Sequence, residues 1–545
     1  MGAVRGLPLR RLTKPELAVF VSGVASMGLQ ILAFRVVVPQ FGSHIYTTGG
    51  VITVFLAALA LGYWRGGKRA ATHASNERLV WVLLLTAVYL AFLLFTREHL
   101  LVYTAAIPIP SRYASLPAIV LLFGPPTYLL GFISPYAAEL SHKADTGEAS
   151  GDVYAFGTAG SILGTAGTTF VLIPATSVEG IGLFFGILLI ATALVITLPD
   201  PTLRPVAASV VVALLVLFAT VGSGAAGVDV RGDVVYQSQT PYQHLEVIDD
   251  GDTRTMYLDG ARHSAMDLEN PDRHVFAYTR YFHLPYLFAD DPDDLERVLF
   301  VGGGGYTGPK SFLERDESVT VDVVELDPEV TAAAETYFDL DHEDAERLTV
   351  HTGDGRSFLA ETDETYDAIV LDAYRQDKVP FEMTTREFMA LAESRLSDDG
   401  VLVANVVSAP EGPASEFYRS QYATMEEAFP QVYAFRTSES SAVQNVELVA
   451  TKADGRLTQA ELHDRNDERE IGIDLTEEVD YYVGDVDTGD APVLEDDRAP
   501  VDSLLDPMMG QRYVVEETDS EAGDPLEQPR ITSGAGAGAV ASVTG

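Results

Sequence analysis

Long apolar runs fill the first part of the chain and give way, near Gly227, to short apolar stretches set among charged residues. A helix needs about 20 apolar residues to cross the hydrocarbon core of a bilayer. Seven runs come close to that length, near 15–38, 45–64, 79–96, 116–138, 153–175, 180–198 and 206–222. The first reads as a span and not as a cleaved signal peptide, because further spans follow it. Glu16 and Arg35 lie at its ends, where long side chains reach the interface. Gly124-Pro125-Pro126 predicts a break in the fourth run. Gly160 and Gly164 give the fifth a G-x-x-x-G spacing, which lets two helix backbones approach closely.

Beyond Gly227 the pattern changes period. Val234–Asp249 and Arg254–Asp259 are β-rich around Asp249-Asp250-Gly251-Asp252, which predicts a hairpin. A helical stretch is expected over Arg273–Leu287. Strands then alternate with helices. Arg297–Val301, Val319–Val324, Leu348–Val350, Tyr366–Leu371 and Gly400–Val407 read as strands, and Thr307–Leu313, Pro328–Tyr337 and Thr385–Leu396 as helices. Alternating βα units imply a parallel sheet covered on both faces. The expected division is a transmembrane domain over 1–227, a β-hairpin subdomain over 228–265, a Rossmann-like α/β domain over 266–510, and a disordered Glu-, Gly- and Ala-rich tail over 511–545.

Charge changes this picture in two ways. The chain carries 79 acidic and 36 basic residues, a net charge of −43. The acid is spread over the whole C-terminal half, as in a halophilic protein kept soluble in high salt. It offers no basic stripe for nucleic acid. Arg5, Arg10, Arg11, Lys14, Arg65, Lys68, Arg69, Arg78, Lys143 and Arg204 fall on the N-terminal side of a seven-span arrangement, which the positive-inside rule makes cytoplasmic. Seven spans then put the following domain outside, whereas an adenosyl cofactor is made inside. The membrane side of that domain stays open. The chain has no cysteine, so disulfides, thiolate nucleophiles and Cys-ligated zinc are excluded. The histidines show no metal-ligand spacing, and no metal is expected.

The chemistry gathers at the strand ends, where open α/β sheets bind ligands. After the first strand comes Gly302-Gly303-Gly304-Gly305-Tyr306-Thr307-Gly308, a loop that can turn tightly and approach a ligand. After the second comes Glu325, about 20 residues on, where a carboxylate takes a ribose hydroxyl pair. Gly353-Asp354-Gly355 follows the third, with Asp354 a candidate acceptor from an adenine amino group. Asp372 follows the fourth. Four such features at successive strand ends point to an adenosine-type cofactor.

With these residues in view, the chain from Val234 to Leu505 resembles the spermidine synthase (polyamine aminopropyltransferase) family in its membrane-fused form. The resemblance rests on Thr240-Pro241-Tyr242-Gln243, Leu258-Asp259-Gly260, His283-Leu284-Pro285, the glycine loop, Val324-Glu325-Leu326-Asp327, Gly353-Asp354-Gly355, Leu371-Asp372-Ala373-Tyr374 and Glu495-Asp496-Asp497-Arg498-Ala499-Pro500-Val501. It implies a Rossmann-like domain of the S-adenosylmethionine-dependent methyltransferase type. It also implies aminopropyl transfer from decarboxylated S-adenosylmethionine to an amine. Gln243 and Glu325 would hold the ribose, Asp354 and Gly355 the adenine side, and Gly302, Gly303 and Gly304 the amino-acid-derived part. Asp372 would be the catalytic proton acceptor. Homodimers are common in that family. The chain departs from the family pattern at Gly305, where an Asp is usual, at Arg375, where a second Asp is usual, and at His263, where a Gln is usual; Asp377 is a candidate substitute for the second Asp.

Two other readings stand beside it. One is a methyltransferase using S-adenosylmethionine itself. The other is a membrane transporter or sensor that binds a nucleoside without turnover. A dehydrogenase using NAD fits least, since the hairpin then has no role.

Overall fold

The computed structural model describes residues 13–42, 45–105, 107, 109–140, 146–198, 203–226, 232–315, 317–340, 346–374, 379–469, 471–508 and 511–518. The chain splits into two units, Met1–Val228 and Asp229–Gly545.

The first unit is helical. It contains α1 (Lys14–Phe41), α2 (Ile45–His73), α3 (Asn76–Ala105), α4 (Ser115–Leu130), α5 (Ile133–Leu140) and α6 (Thr146–Gly167), then Val178–Thr197 and Leu203–Ala226. Among the described residues, six segments are long and apolar enough to cross a membrane: Lys14–Phe41, Ile45–His73, Asn76–Ala105, Ser115–Leu140, Ser150–Ala175 and Val178–Thr197. The seventh expected run holds a shorter apolar stretch, Arg204–Thr220, so six and not seven helices meet that measure.

Local chemistry explains how these helices begin and meet. Thr13 and Glu16 cap α1 reciprocally, each side chain taking the other's backbone amide. Small residues bring α1 and α6 together. A Cβ at Gly160 would lie 2.1 Å from the Phe20 carbonyl oxygen, and one at Gly164 would lie 2.2 Å from that of Val24. The break expected at Pro125-Pro126 does not occur there: α4 runs through both prolines and ends at Gly131. Pro125 has no N–H for the Leu121 carbonyl four residues back, and the Tyr89 hydroxyl donates to that carbonyl instead, at 2.5 Å. The Arg97 guanidinium of α3 pairs with Glu179 at the start of the next-to-last helix.

The second unit opens with an antiparallel sheet of four strands, β1 (Asp233–Gln239), β2 (His244–Asp250), β3 (Thr253–Leu258) and β4 (Ala261–Asp267), in that order. The simple hairpin is thereby corrected. The run Val234–Asp249 folds back at Thr240–Gln243, and β4 extends the sheet. Thr240 makes this turn, its Oγ1 accepting from the backbone amides of Tyr242 and Gln243.

The larger sheet has seven strands: β5 (Arg297–Val301), β6 (Thr320–Glu325), β7 (Leu348–Thr352), β8 (Tyr366–Leu371), β9 (Leu396–Ser408), β10 (Gln431–Arg436) and β11 (Gln444–Thr451). Their order is β10-β11-β9-β8-β5-β6-β7. The pairs among β5 to β9 are parallel; β11 runs antiparallel to both β9 and β10. The five expected strands, β5 to β9, are parallel as expected, and β10 and β11 make the Rossmann-like sheet mixed. The stretch expected as a helix over Arg273–Leu287 is a 3-10 helix, Ala277–His283, followed by one α turn, Pro285–Phe288. Pro285 has no N–H to continue a helix across that junction.

The expected tail, 511–545, is described only over its first eight residues. Residues 511–518 lie along the domain: Val514 N–H donates to Val443, Thr518 N–H to Val275, and Glu516 accepts from Ala277 N–H. Residues 519–545 lie outside the described residues.

A buried pair of imidazoles packs beneath the larger sheet. His274 Nε2 and His283 Nε2 both meet the Ser311 hydroxyl, at 2.9 and 2.7 Å, and the His283 ring stacks on Phe312. Burial lowers both rings, His274 to about 3. The unfolded chain binds protons at these rings below about pH 6.5 and the folded chain does not. Their stabilisation is therefore full above pH 6.5 and is lost as pH falls toward 3. Chemical denaturation at pH 5 should show roughly 2 kcal/mol less stability from His274 alone. His274→Asn should flatten that slope.

Candidate active site

The C-terminal ends of β5, β6, β7 and β8 bring the expected residues to one edge of the sheet. Gly302 leaves β5 with φ +101, and its Cβ would lie 2.5 Å from the Asp372 carbonyl oxygen. Only glycine permits that approach. The loop turns again at Gly304 (φ +53) and at Tyr306 (φ 58). Tyr306 is fully buried and bonds Thr331 Oγ1 at 2.8 Å, and the burial holds a conformation that a tyrosine otherwise avoids.

Glu325 closes against this loop. Its carboxylate accepts from Gly303 N–H and from Asp327 N–H, each at 2.9 Å. Burial raises its pKa while these amides oppose the rise. Asp327 caps the helix Pro328–Tyr337 and receives the Thr240 hydroxyl at 2.6 Å and the Gln243 side-chain amide at 3.4 Å. The β1–β2 turn is thus pinned at the end of β6, which brings Gln243 to the Glu325–Asp327 corner. Asp354 lies on the exposed rim. One of its oxygens caps the helix Gly355–Glu361, accepting from both Ser357 N–H and Ser357 Oγ. Gly355 packs against Val301, where a Cβ would lie 2.4 Å from a methyl.

Asp372 follows β8 and lines a small pocket with Ser264, Tyr278, Phe282, Gly302 and Gly303. Its carboxyl is enclosed, and burial, reinforced by the negative field of Glu325, pushes its pKa up to about 7 despite one bond from Asn405. That bond belongs to a chain. Tyr513 OH donates to Asn445 Oδ1, Asn445 Nδ2 to Asn405 Oδ1, and Asn405 Nδ2 to Asp372 Oδ1, at 2.8, 2.7 and 2.8 Å. An ionised carboxylate only accepts, so Asp372 sets the direction of every donor behind it.

Four participants escape a reading of strand ends alone. Asn405, Asn445 and Glu447 come from β9 and β11, and Tyr513 from the closing segment. Glu447 is wholly buried, and neither of its oxygens has a hydrogen-bond partner among the described residues. Burial, with Asp372 nearby, holds it well above the usual carboxylate range. In sequence, the signal was a single Glu between apolar neighbours, Val446-Glu447-Leu448-Val449.

The departures from the family pattern also have places. His263 lies on β4 against Gly304. The Gly305 amide donates to Ser264 Oγ at 2.8 Å, and a Cβ there would meet Ser264 Cβ at 2.9 Å and the Phe338 ring at 3.1 Å. Restoring an acid at this position must displace Ser264. Gly305→Asp should destabilise the second unit by about 1–3 kcal/mol of overpacking, read as a lower thermal midpoint. Arg375 and Asp377 lie outside the described residues.

Residues 276–438 match the spermine/spermidine synthase domain model. The polyamine aminopropyltransferase of Vibrio vulnificus is 31% identical over 219 residues, covering 39% of this chain and 70% of that protein. The polyamine aminopropyltransferase of Chromobacterium violaceum is 28% identical, covering 43% and 87%. The crystal structure of spermidine synthase from Thermotoga maritima aligns with a TM-score of 0.33 at 20% identity, covering 41% of this chain and 73% of that one. Through its second unit, then, this chain belongs to the spermidine synthase (polyamine aminopropyltransferase) family.

Proposed function

We propose that the chain transfers an aminopropyl group from decarboxylated S-adenosylmethionine to an amine, on a multi-pass membrane anchor formed by its first unit. The observation that carries this reading is the pair Asp372 and Glu447. The charge of Asp372 raises the buried Glu447 carboxyl, and neither Glu447 oxygen has a hydrogen-bond partner among the described residues. Burying an unpaired carboxyl is costly. An arriving ammonium relieves that cost, so the site favours a cation.

Bound there, decarboxylated S-adenosylmethionine would supply a propylamine carbon activated by a sulfonium, which leaves as a neutral thioether. Gln243 and Glu325 would hold the ribose, Asp354 and Gly355 the adenine end, and Gly302 to Gly304 the aminopropyl end. Asn405 occupies one oxygen of Asp372 and leaves the other for the acceptor. A free amine has a pKa of about 10.4 and must shed a proton before its lone pair can attack carbon. Asp372 takes that proton as the C–N bond forms and the C–S bond breaks. The amine's distal charge, where it has one, would face Glu447.

Calorimetric binding in molar salt distinguishes the readings. Methylthioadenosine and decarboxylated S-adenosylmethionine should bind more tightly than S-adenosylmethionine, and NAD least. A preference for S-adenosylmethionine would favour methyl transfer, and binding without amine-dependent turnover would favour a sensor.

A further inference from the structure

At one end of the helical unit, the last turns of α2, the first turns of α3 and the α4–α5 corner enclose a cavity of about 460 Å³. Its lining carries two arginines, Arg69 from α2 and Arg78 from α3, with the His73 side chain beside them. Among the described residues neither arginine is paired with a carboxylate. Its wall is aromatic and apolar, with Trp81, Phe132 and Tyr136. Trp81 is 43% exposed, and beyond it α3 presents Leu85 to the outside.

The walls are fixed by backbone contact. A Cβ at Gly62 would lie 2.4 Å from the Tyr128 carbonyl oxygen, and one at Gly66 would lie 2.9 Å from Phe132 Cα. Here α2 already touches the α4–α5 corner, so the cavity cannot close by bringing them nearer. Two unpaired guanidiniums above an aromatic wall match a ligand with an anionic head and an apolar body. The basic residues at this end, Arg65, Lys68, Arg69 and Arg78, also mark it as the side facing anionic lipid under the positive-inside rule.

We propose that this cavity binds an anionic amphiphile, with a phosphate-type head held by Arg69 and Arg78 and an apolar chain lying along Trp81 and Phe132. The proposal rests on the membrane reading of the first unit. The chain has only two tryptophans, Trp64 and Trp81, so Trp64→Phe leaves Trp81 as a single reporter. This full-length variant would be reconstituted in zwitterionic vesicles and titrated with brominated lipids that quench tryptophan. A brominated phosphatidylglycerol should quench Trp81 at lower mole fraction than brominated phosphatidylcholine. Arg69→Gln and Arg78→Gln should each weaken that preference about fivefold. Competition by millimolar inorganic phosphate would identify a free phosphate as a sufficient head; its absence would assign the head to the lipid. Vesicle flotation is read on the same samples. Protein that does not float contradicts the membrane reading and this proposal together. Protein that floats but shows equal quenching by both lipids, unchanged in the arginine variants, overturns this proposal alone.

Discussion

Asp372→Asn should lower kcat for amine-dependent transfer by about 10²- to 10⁴-fold, the usual weight of a positioned general base. Affinity for methylthioadenosine should stay within a few-fold. The substitution keeps size and shape, and its side chain still faces Asn405, so loss of turnover would reflect loss of the proton acceptor. The pH dependence carries an independent sign. With Asp372 held at about 7 by burial, the free enzyme has its base ionised only above that pH. The parent kcat/KM should therefore rise with pH through about 7 and fall about tenfold per unit below it. An ammonium beside the carboxylate favours ionisation, so the kcat profile should bend at lower pH. Initial rates across pH 5.5–9 check both.

The second large effect concerns Glu447, where stability and function should part company. Glu447→Met replaces a wholly buried, unpaired carboxyl with a flexible apolar side chain of similar length. Chemical denaturation should show a gain of about 1–3 kcal/mol, the cost of a buried polar group left without a hydrogen bond. Acceptor KM should rise at least tenfold in the same protein, because the carboxyl that would face the amine's distal charge is gone. Glu447→Gln, which keeps the polar shape, should raise KM with a smaller gain in stability. Both variants should leave the kcat/KM profile bending near pH 7, since burial and Glu325, not Glu447, hold Asp372 up. A variant that is more stable yet equally active would show Glu447 to be an ordinary buried acid.

Much of this site was legible because glycine and carboxylates recur at fixed places in a βα alternation. Gly302, Glu325, Asp354 and Asp372 each follow a strand whose apolar run is unmistakable. The helical half was legible for the same reason, since length and apolarity alone define its long helices. Less visible were features decided by partners distant in the chain. Pro125 reads as a helix breaker until the Tyr89 hydroxyl replaces its missing donor. Strand β4 has no counterpart among the expected strands because Arg262, His263 and Ser264 hide its alternation, yet Ser264 supports the glycine loop. Strands β10 and β11 close the sheet antiparallel, and only that pairing sets Asn445 beside Asn405 and carries Glu447 toward Asp372. Tyr513 was assigned to the tail because its surroundings are acidic and unpatterned. One hydroxyl bond to Asn445 makes it the end of the donor chain behind the catalytic candidate.

The most direct measurement is release of methylthioadenosine by the detergent-solubilised full chain in molar salt, from decarboxylated S-adenosylmethionine, with and without a panel of mono-, di- and triamines. The account predicts release that depends on an amine, an aminopropylated product at the expected mass, and loss of both in Asp372→Asn. Release of S-adenosylhomocysteine from S-adenosylmethionine, or no turnover with any amine from a chain that binds methylthioadenosine, would contradict it.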